Sequence, residues 1–180
     1  MAHTHTDVPS AAHISGHPIH PMLVPFPIAY LVGALFTDLA FLATEDPFWA
    51  TASLWLLRAG VVMGALAAVF GLVDFLSRKS IRSHKIAWHH FIGNASVIAL
   101  ALINMTLRGD SPTDAIVPGG IALSLIVAAI LIYTAWLGGE MAYRYHIGSV
   151  PAGSHEPAAA RAPTGQERRS GLGDRRLHAM

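Results

Sequence analysis

Four apolar stretches, at about residues 22–43, 54–76, 86–107 and 115–141, restrict what this chain can fold into. A helix needs about 20 apolar residues to cross the hydrocarbon core of a bilayer. Residues 115–139 form a run of 25 without a formal charge, and residues 86–107 a run of 22. The second stretch is shorter, with 15 uncharged residues between Arg58 and Asp74. Arg58 extends it by running its aliphatic stem along the helix and keeping its guanidinium at the interface. A soluble helical bundle needs no uncharged runs of this length. The expected fold is therefore all-α, an integral membrane four-helix bundle with disordered polar termini.

Composition agrees with this expectation. Only 13% of the 180 residues are charged and 53% are apolar, whereas a soluble domain carries about 25% charge. Residues 1–16 lack the basic start of a signal peptide, and the first apolar run is long enough to stay as an anchor. With no cysteine, thiolate ligands, disulfides and cysteine nucleophiles are excluded. The expected organisation is a polar, histidine-dotted leader at 1–16, a four-span domain at 17–147 and a basic tail at 148–180.

With four spans, the start of the first, the end of the second, the start of the third and the end of the fourth fall on one side. His17, His20, His84, His89, His90 and His146 lie there, together with Asp74 and Glu140. The opposite ends carry no histidine. Arg78, Lys79, Arg82, Lys85 and Arg144 also lie on the histidine side, while the other side has Arg58 and Arg108 beside Glu45, Asp46, Asp110 and Asp114. By the positive-inside rule the histidine side is expected to be cytoplasmic, with both termini inside. Trp49 and Trp55 suit an interfacial belt on the outer side.

Local patterns refine the spans. Prolines at 18, 21, 25 and 27 argue against regular helix across 18–21, because proline lacks a donor and restricts its predecessor. Residues 17–21 are expected to be extended at the interface, presenting His17 or His20 to the bundle mouth, with Pro25 and Pro27 in a first helical turn. Gly60, Gly64, Ala67, Gly71 and Asp74 recur at alternating spacings of four and three, so they form one small-residue face suited to close helix approach. That face turns Asp74 into the bundle. It also suits a homodimer, although internal packing uses such a face equally well. His89 and His90 lie about 100° apart on a helix, so only one of them faces inward; His90 shares a face with Asn94.

The stretch GHPIHPMLVPFPIAYLVGALFTDLAF, the Gly60…Gly64…Gly71…Asp74 pattern, the His89–Asn94 region and the Leu137-Gly-Gly-Glu140 end resemble the bacterial family of small four-span membrane proteins designated domain of unknown function 2231. The resemblance covers about residues 16–150. The chain departs from some relatives in carrying Pro25 where they have a histidine. Related domains occur fused to c-type cytochrome modules, which implies a place near electron transfer. The family brings no assigned reaction.

Three readings of the histidine cluster follow. One is a site for b-type haem or a transition-metal ion in a redox role, since imidazole ligates iron, copper and zinc and bundle cores hold cofactors between facing helices. Its candidate ligands are His17, His20, His89, His90 and His146 for haem. For a non-haem ion they are His20 and His90 with Asp74 and Glu140. A redox partner protein would then be needed. In the second reading the chain is a scaffold or assembly subunit, Asp74 and Glu140 being neutralised by Arg78 and Arg144 one turn on. In the third it is a proton-coupled transporter using Asp38, an acid about six residues past the middle of the first span. Asp38 has Arg58 and Arg108 as alternative ion-pair partners. No G-x-S-x-G, H-E-x-x-H or P-loop pattern suggests an enzyme, and nothing beyond the basic tail suggests nucleic-acid binding.

Overall fold

A computed structural model describes residues 10–15, 17–109 and 111–147. The leader at 1–9 and the tail at 148–180, both expected to be disordered, lie outside the described residues.

The elements, in chain order, are a two-residue hairpin, β1 (His13–Ile14) with β2 (His17–Pro18), then α1 (Ile19–Leu23), α2 (Pro25–Thr44), α3 (Pro47–Ser77), α4 (Lys79–Arg82), α5 (Lys85–Arg108), α6 (Pro112–Ala115), a wide turn Ile116–Gly120 and α7 (Ile121–Tyr143). Among the described residues, four helical stretches are long and apolar enough to cross a membrane: Ile19–Thr44, Pro47–Ser77, Lys85–Arg108 and Pro112–Tyr143. They pack up and down, with α2 against α3 and α5 against α7 as the most extensive pairs.

Helix limits follow local chemistry. The second span begins seven residues earlier than its apolar run, because the Asp46 carboxylate accepts from the Phe48 amide at 2.9 Å and Pro47 occupies the first turn. The expectation of extended backbone over 17–21 holds for His17 and Pro18 only, since Ile19–Leu23 is helical. Pro21 is tolerated there because it sits in the first turn, where its missing amide would have had no helical partner. Residues 10–15, expected to belong to a disordered leader, instead fold back as the hairpin, and the Ile19 amide donates to Ala12 O at 3.0 Å.

The distribution of polarity is inverted relative to a protein in water. The outward faces carry Trp136 at 74% exposure, Ile132 at 73% and Val62 at 66%, while Asp38, Ser53, Asn104 and Arg108 are at most 1% exposed. Lipid tails solvate the former, whereas polar groups inside a bilayer must find protein partners. Between the polar layer and the histidine end lies an apolar core of Leu31, Leu57, Val97, Ala101, Val127 and Leu131.

The small-residue face of α3 is directed inward within one chain. An added Cβ at Gly60 would lie 2.6 Å from Leu31, one at Gly64 would lie 3.4 Å from Ile98, and one at Gly71 would lie 2.9 Å from the His20 ring. These glycines set how closely α1, α2 and α5 approach α3.

Candidate functional site

His20 and His90 are the pair that the fold brings together. Their ring centroids are 6.5 Å apart and the rings are perpendicular. His20 Nδ1 donates to the Ala67 carbonyl of α3 at 2.8 Å, and His90 Nδ1 donates to the Thr134 carbonyl of α7 at 3.0 Å. A carbonyl oxygen only accepts, so each Nδ1 carries a proton and a neutral ring presents its lone pair at Nε2. Neither Nε2 has a protein partner among the described residues.

Glycines make this placement possible. Gly71 stands opposite the His20 ring, and an added Cβ at Gly138 would lie 3.2 Å from His90 Cε1. Each imidazole thus occupies a niche where its neighbouring helix has no side chain. Asn94, one turn along on the same face of α5, donates from Nδ2 to His90 O at 2.8 Å. The ambiguity between His89 and His90 is resolved by helix rotation, because His89 is exposed and its Nδ1 is 3.4 Å from Tyr133 Oη.

The remaining candidates are held elsewhere. His17 is exposed, with Nδ1 on Ser15 O at 3.1 Å. His146 is half-buried three residues past the end of α7, with a positive φ of 50°. Glu140 accepts from Arg144 at 2.6 Å, as their spacing suggested. That hydrogen bond, with the carboxylate charge, holds the Arg144 guanidinium above its ordinary pKa.

Asp74 differs from its expected pairing with Arg78. Its carboxylate accepts from Ser10 Oγ at 2.8 and 2.9 Å, from the Ala11 amide at 2.6 Å and from the Ala12 amide at 3.1 Å. Consecutive backbone N–H groups form a concave donor set that suits an anion. The hairpin is thereby fastened over the end of α3. Spacing within α3 gave no sign of this, because the donors lie more than sixty residues away and two of them are backbone. Among the described residues no group of three or more His, Asp and Glu is arranged to hold a metal ion.

At the opposite end Asp38 pairs with Arg108 and not Arg58. Arg108 Nη1 and Nη2 donate to its two oxygens at 2.6 and 2.7 Å, with both side chains fully buried. Ser53 and Ser124 each donate to the same carboxylate at 2.6 Å, and Asn104 Oδ1 accepts from Arg108 Nε at 3.0 Å. One residue or more from each of α2, α3, α5 and α7 is tied into this cluster. Arg58 instead lies over the Trp55 ring at 5.0 Å. Arg108 was one of the two partners expected for Asp38, whereas Ser53, Asn104 and Ser124 were not anticipated.

Between these two ends is a cavity of about 60 Å³ walled by His20, Asn94 and mostly apolar residues of all four spans. It is well below the ~150 Å³ that accommodates one benzene, so it has no room for a macrocycle.

A family model described as Predicted membrane protein (DUF2231) matches residues 16–151, a region that includes all four spans. The chain belongs to this family. The match confirms the family suggested by the opening His-Pro-Ile-His-Pro motif, and the DUF2231 region contains both histidines of the pair, Asp38 and Arg108. No curated protein and no solved structure matches the chain.

Proposed function

We propose that this membrane protein binds a transition-metal ion through Nε2 of His20 and Nε2 of His90, in a redox-linked role served by a partner protein. The observation carrying this reading is that both rings are oriented by Nδ1–H bonds to backbone carbonyls of other helices. Metal-binding histidines are commonly fixed by such a second hydrogen bond. Two imidazoles without a third side-chain ligand suit an ion that accepts linear coordination, as cuprous copper does, better than zinc with its four ligands. Haem fits less well, because the space beside His20 is far smaller than the macrocycle. The histidine end is assigned to the cytoplasmic side of a bacterial inner membrane. The support is the basic stretch Arg78, Lys79, Arg82 and Lys85 between α3 and the start of α5.

The test is elemental analysis and an absorption spectrum of the detergent-purified full chain, before and after loading with cuprous ion under reducing conditions. About one copper per chain that survives a chelator wash, and is lost in both His20→Ala and His90→Ala, is the expected result. Asp74→Asn and Glu140→Gln should leave it unchanged, because those carboxylates are engaged elsewhere. A metal-free wild type that does not load would refute the reading, and a Soret band would replace it with haem and require the helices to part.

A scaffold role has its own support. Asp74 and Glu140 both have partners within the chain, so their placement is explained without a ligand. A colourless protein that co-purifies with a membrane complex, and is needed for its assembly, would favour that reading.

A further inference from the structure

The cavity beside His20 has features of a binding site in its own right. It lies between the spans where Gly64 and Ala67 of α3 face Val97 of α5 and Leu131 of α7. Small residues on α3 and a first span that starts as two consecutive helical segments, α1 and α2, leave this space open. Its wall is almost wholly apolar. The two polar residues on it direct a donor each to backbone carbonyls, His20 to Ala67 and Asn94 to His90. A buried water needs two to four polar partners, so an almost wholly apolar wall with both donors engaged suits an apolar molecule better than water. One lining residue, Ala68, is exposed on the outside of the bundle, where the bilayer lies.

Size narrows the occupant. A cavity of ~150 Å³ holds the six heavy atoms of benzene, or about 25 Å³ per heavy atom. On that scale about 60 Å³ accommodates two or three heavy atoms. An acyl chain, a quinone ring or an amino acid is excluded. We propose that this cavity binds a small uncharged gas molecule of dioxygen size, taken up from the hydrocarbon phase between the spans and held next to His20. The proposal rests on the cavity and is independent of whether a metal binds the histidine pair.

The experiment uses the full chain in lipid nanodiscs with labelled methyl groups, comparing methyl relaxation under dissolved dioxygen and under nitrogen. Three positions of α7 provide an internal comparison. Leu131 lines the cavity and is 5% exposed, Ile132 faces lipid at 73%, and Val127 is 2% exposed but does not line the cavity. Leu131 and Ile132 are one residue apart, so they sit at nearly the same bilayer depth, within about 1.5 Å. The expected result is that dioxygen relaxes Leu131 at least as strongly as Ile132 and several-fold more than Val127. Gly64→Ala adds a methyl whose carbon would meet Ile98 at 3.4 Å and Pro27 at 3.8 Å, an ordinary contact that fills part of the space without disrupting it. It should lower the enhancement at Leu131 by about a third to a half, since one of two or three heavy-atom volumes is removed, and leave Ile132 unchanged. Leu131 protected as fully as Val127 would overturn the proposal. So would strong cross-relaxation from water to the Leu131 and Val97 methyls, which would show a hydrated cavity.

Discussion

Replacing Asp38 by Asn tests the polar cluster most sharply. The substitution keeps the shape and removes the charge. Arg108 is 1% exposed, and its guanidinium has Asp38 as its one carboxylate partner among the described residues. The Asp38 carboxylate accepts four hydrogen bonds, two from Arg108 and one each from Ser53 and Ser124. Without it a buried cation lacks a counter-charge. Breaking a buried ion pair by removing one partner costs about 3–5 kcal/mol, or roughly two to four powers of ten in the folding equilibrium. Removing both charges is different, because replacing a whole buried pair by apolar residues is often neutral. Asp38→Leu with Arg108→Met should therefore recover most of the loss. Ser53 would keep its bond to Ala34 O at 3.1 Å, and Ser124 its bond from Asn104 at 3.0 Å. Unfolding of the purified protein in mixed micelles, titrated with a denaturing detergent, gives both values and their coupling. A single-variant cost below about 1 kcal/mol, the range of an exposed pair, would refute the reasoning. So would a double variant as unstable as the two singles summed. The same variants bear on transport, since a carboxylate locked to Arg108 is poorly placed to carry a moving proton.

Further outcomes follow from the histidine end. Gly71→Ala should destabilise the bundle by about 1–3 kcal/mol, the usual range for overpacking, because its Cβ would lie 2.9 Å from the His20 ring; Gly138→Ala, at 3.2 Å from His90, should cost less. Thermal unfolding in detergent compares the two, and equal costs would count against the niche geometry. Asp74→Ala should expose the amides of Ala11 and Ala12, raising their hydrogen exchange at least tenfold, while exchange in the middle of α5 stays unchanged. Arg144→Ala should leave the unfolding midpoint unmoved, because its ion pair with Glu140 is largely solvated.

The spans, their number and the clustering of histidines at one end were all legible in the linear chain. The reason is that transfer of a segment into hydrocarbon is set by the residues of that segment, added one by one. The small face of α3 could also be read, as could the inward position of Asp74, since both depend on the fixed angle between helical residues. The family itself was legible from the opening motif.

Other assignments depended on contacts between distant residues. Asp38 had two cations within reach along the sequence, and only the packing of α2 against α5 and α7 selects Arg108, with Ser53 and Ser124 completing the cluster. Asp74 has its partners in a leader segment whose composition suggested no structure, because backbone amides carry no sequence signature. His90 faces inward and His89 outward because α5 is rotated by packing against Gly138 and Thr134 of α7, a choice that neither residue's identity encodes. The cavity is likewise a property of four helices together, formed where the glycine and alanine side chains of one do not fill the space between the others. Local energetics determined that this chain spans the membrane four times. Tertiary packing decided which of its charged and aromatic nitrogen groups meet, because those pairings depend on helix rotation and on partners far apart in the chain.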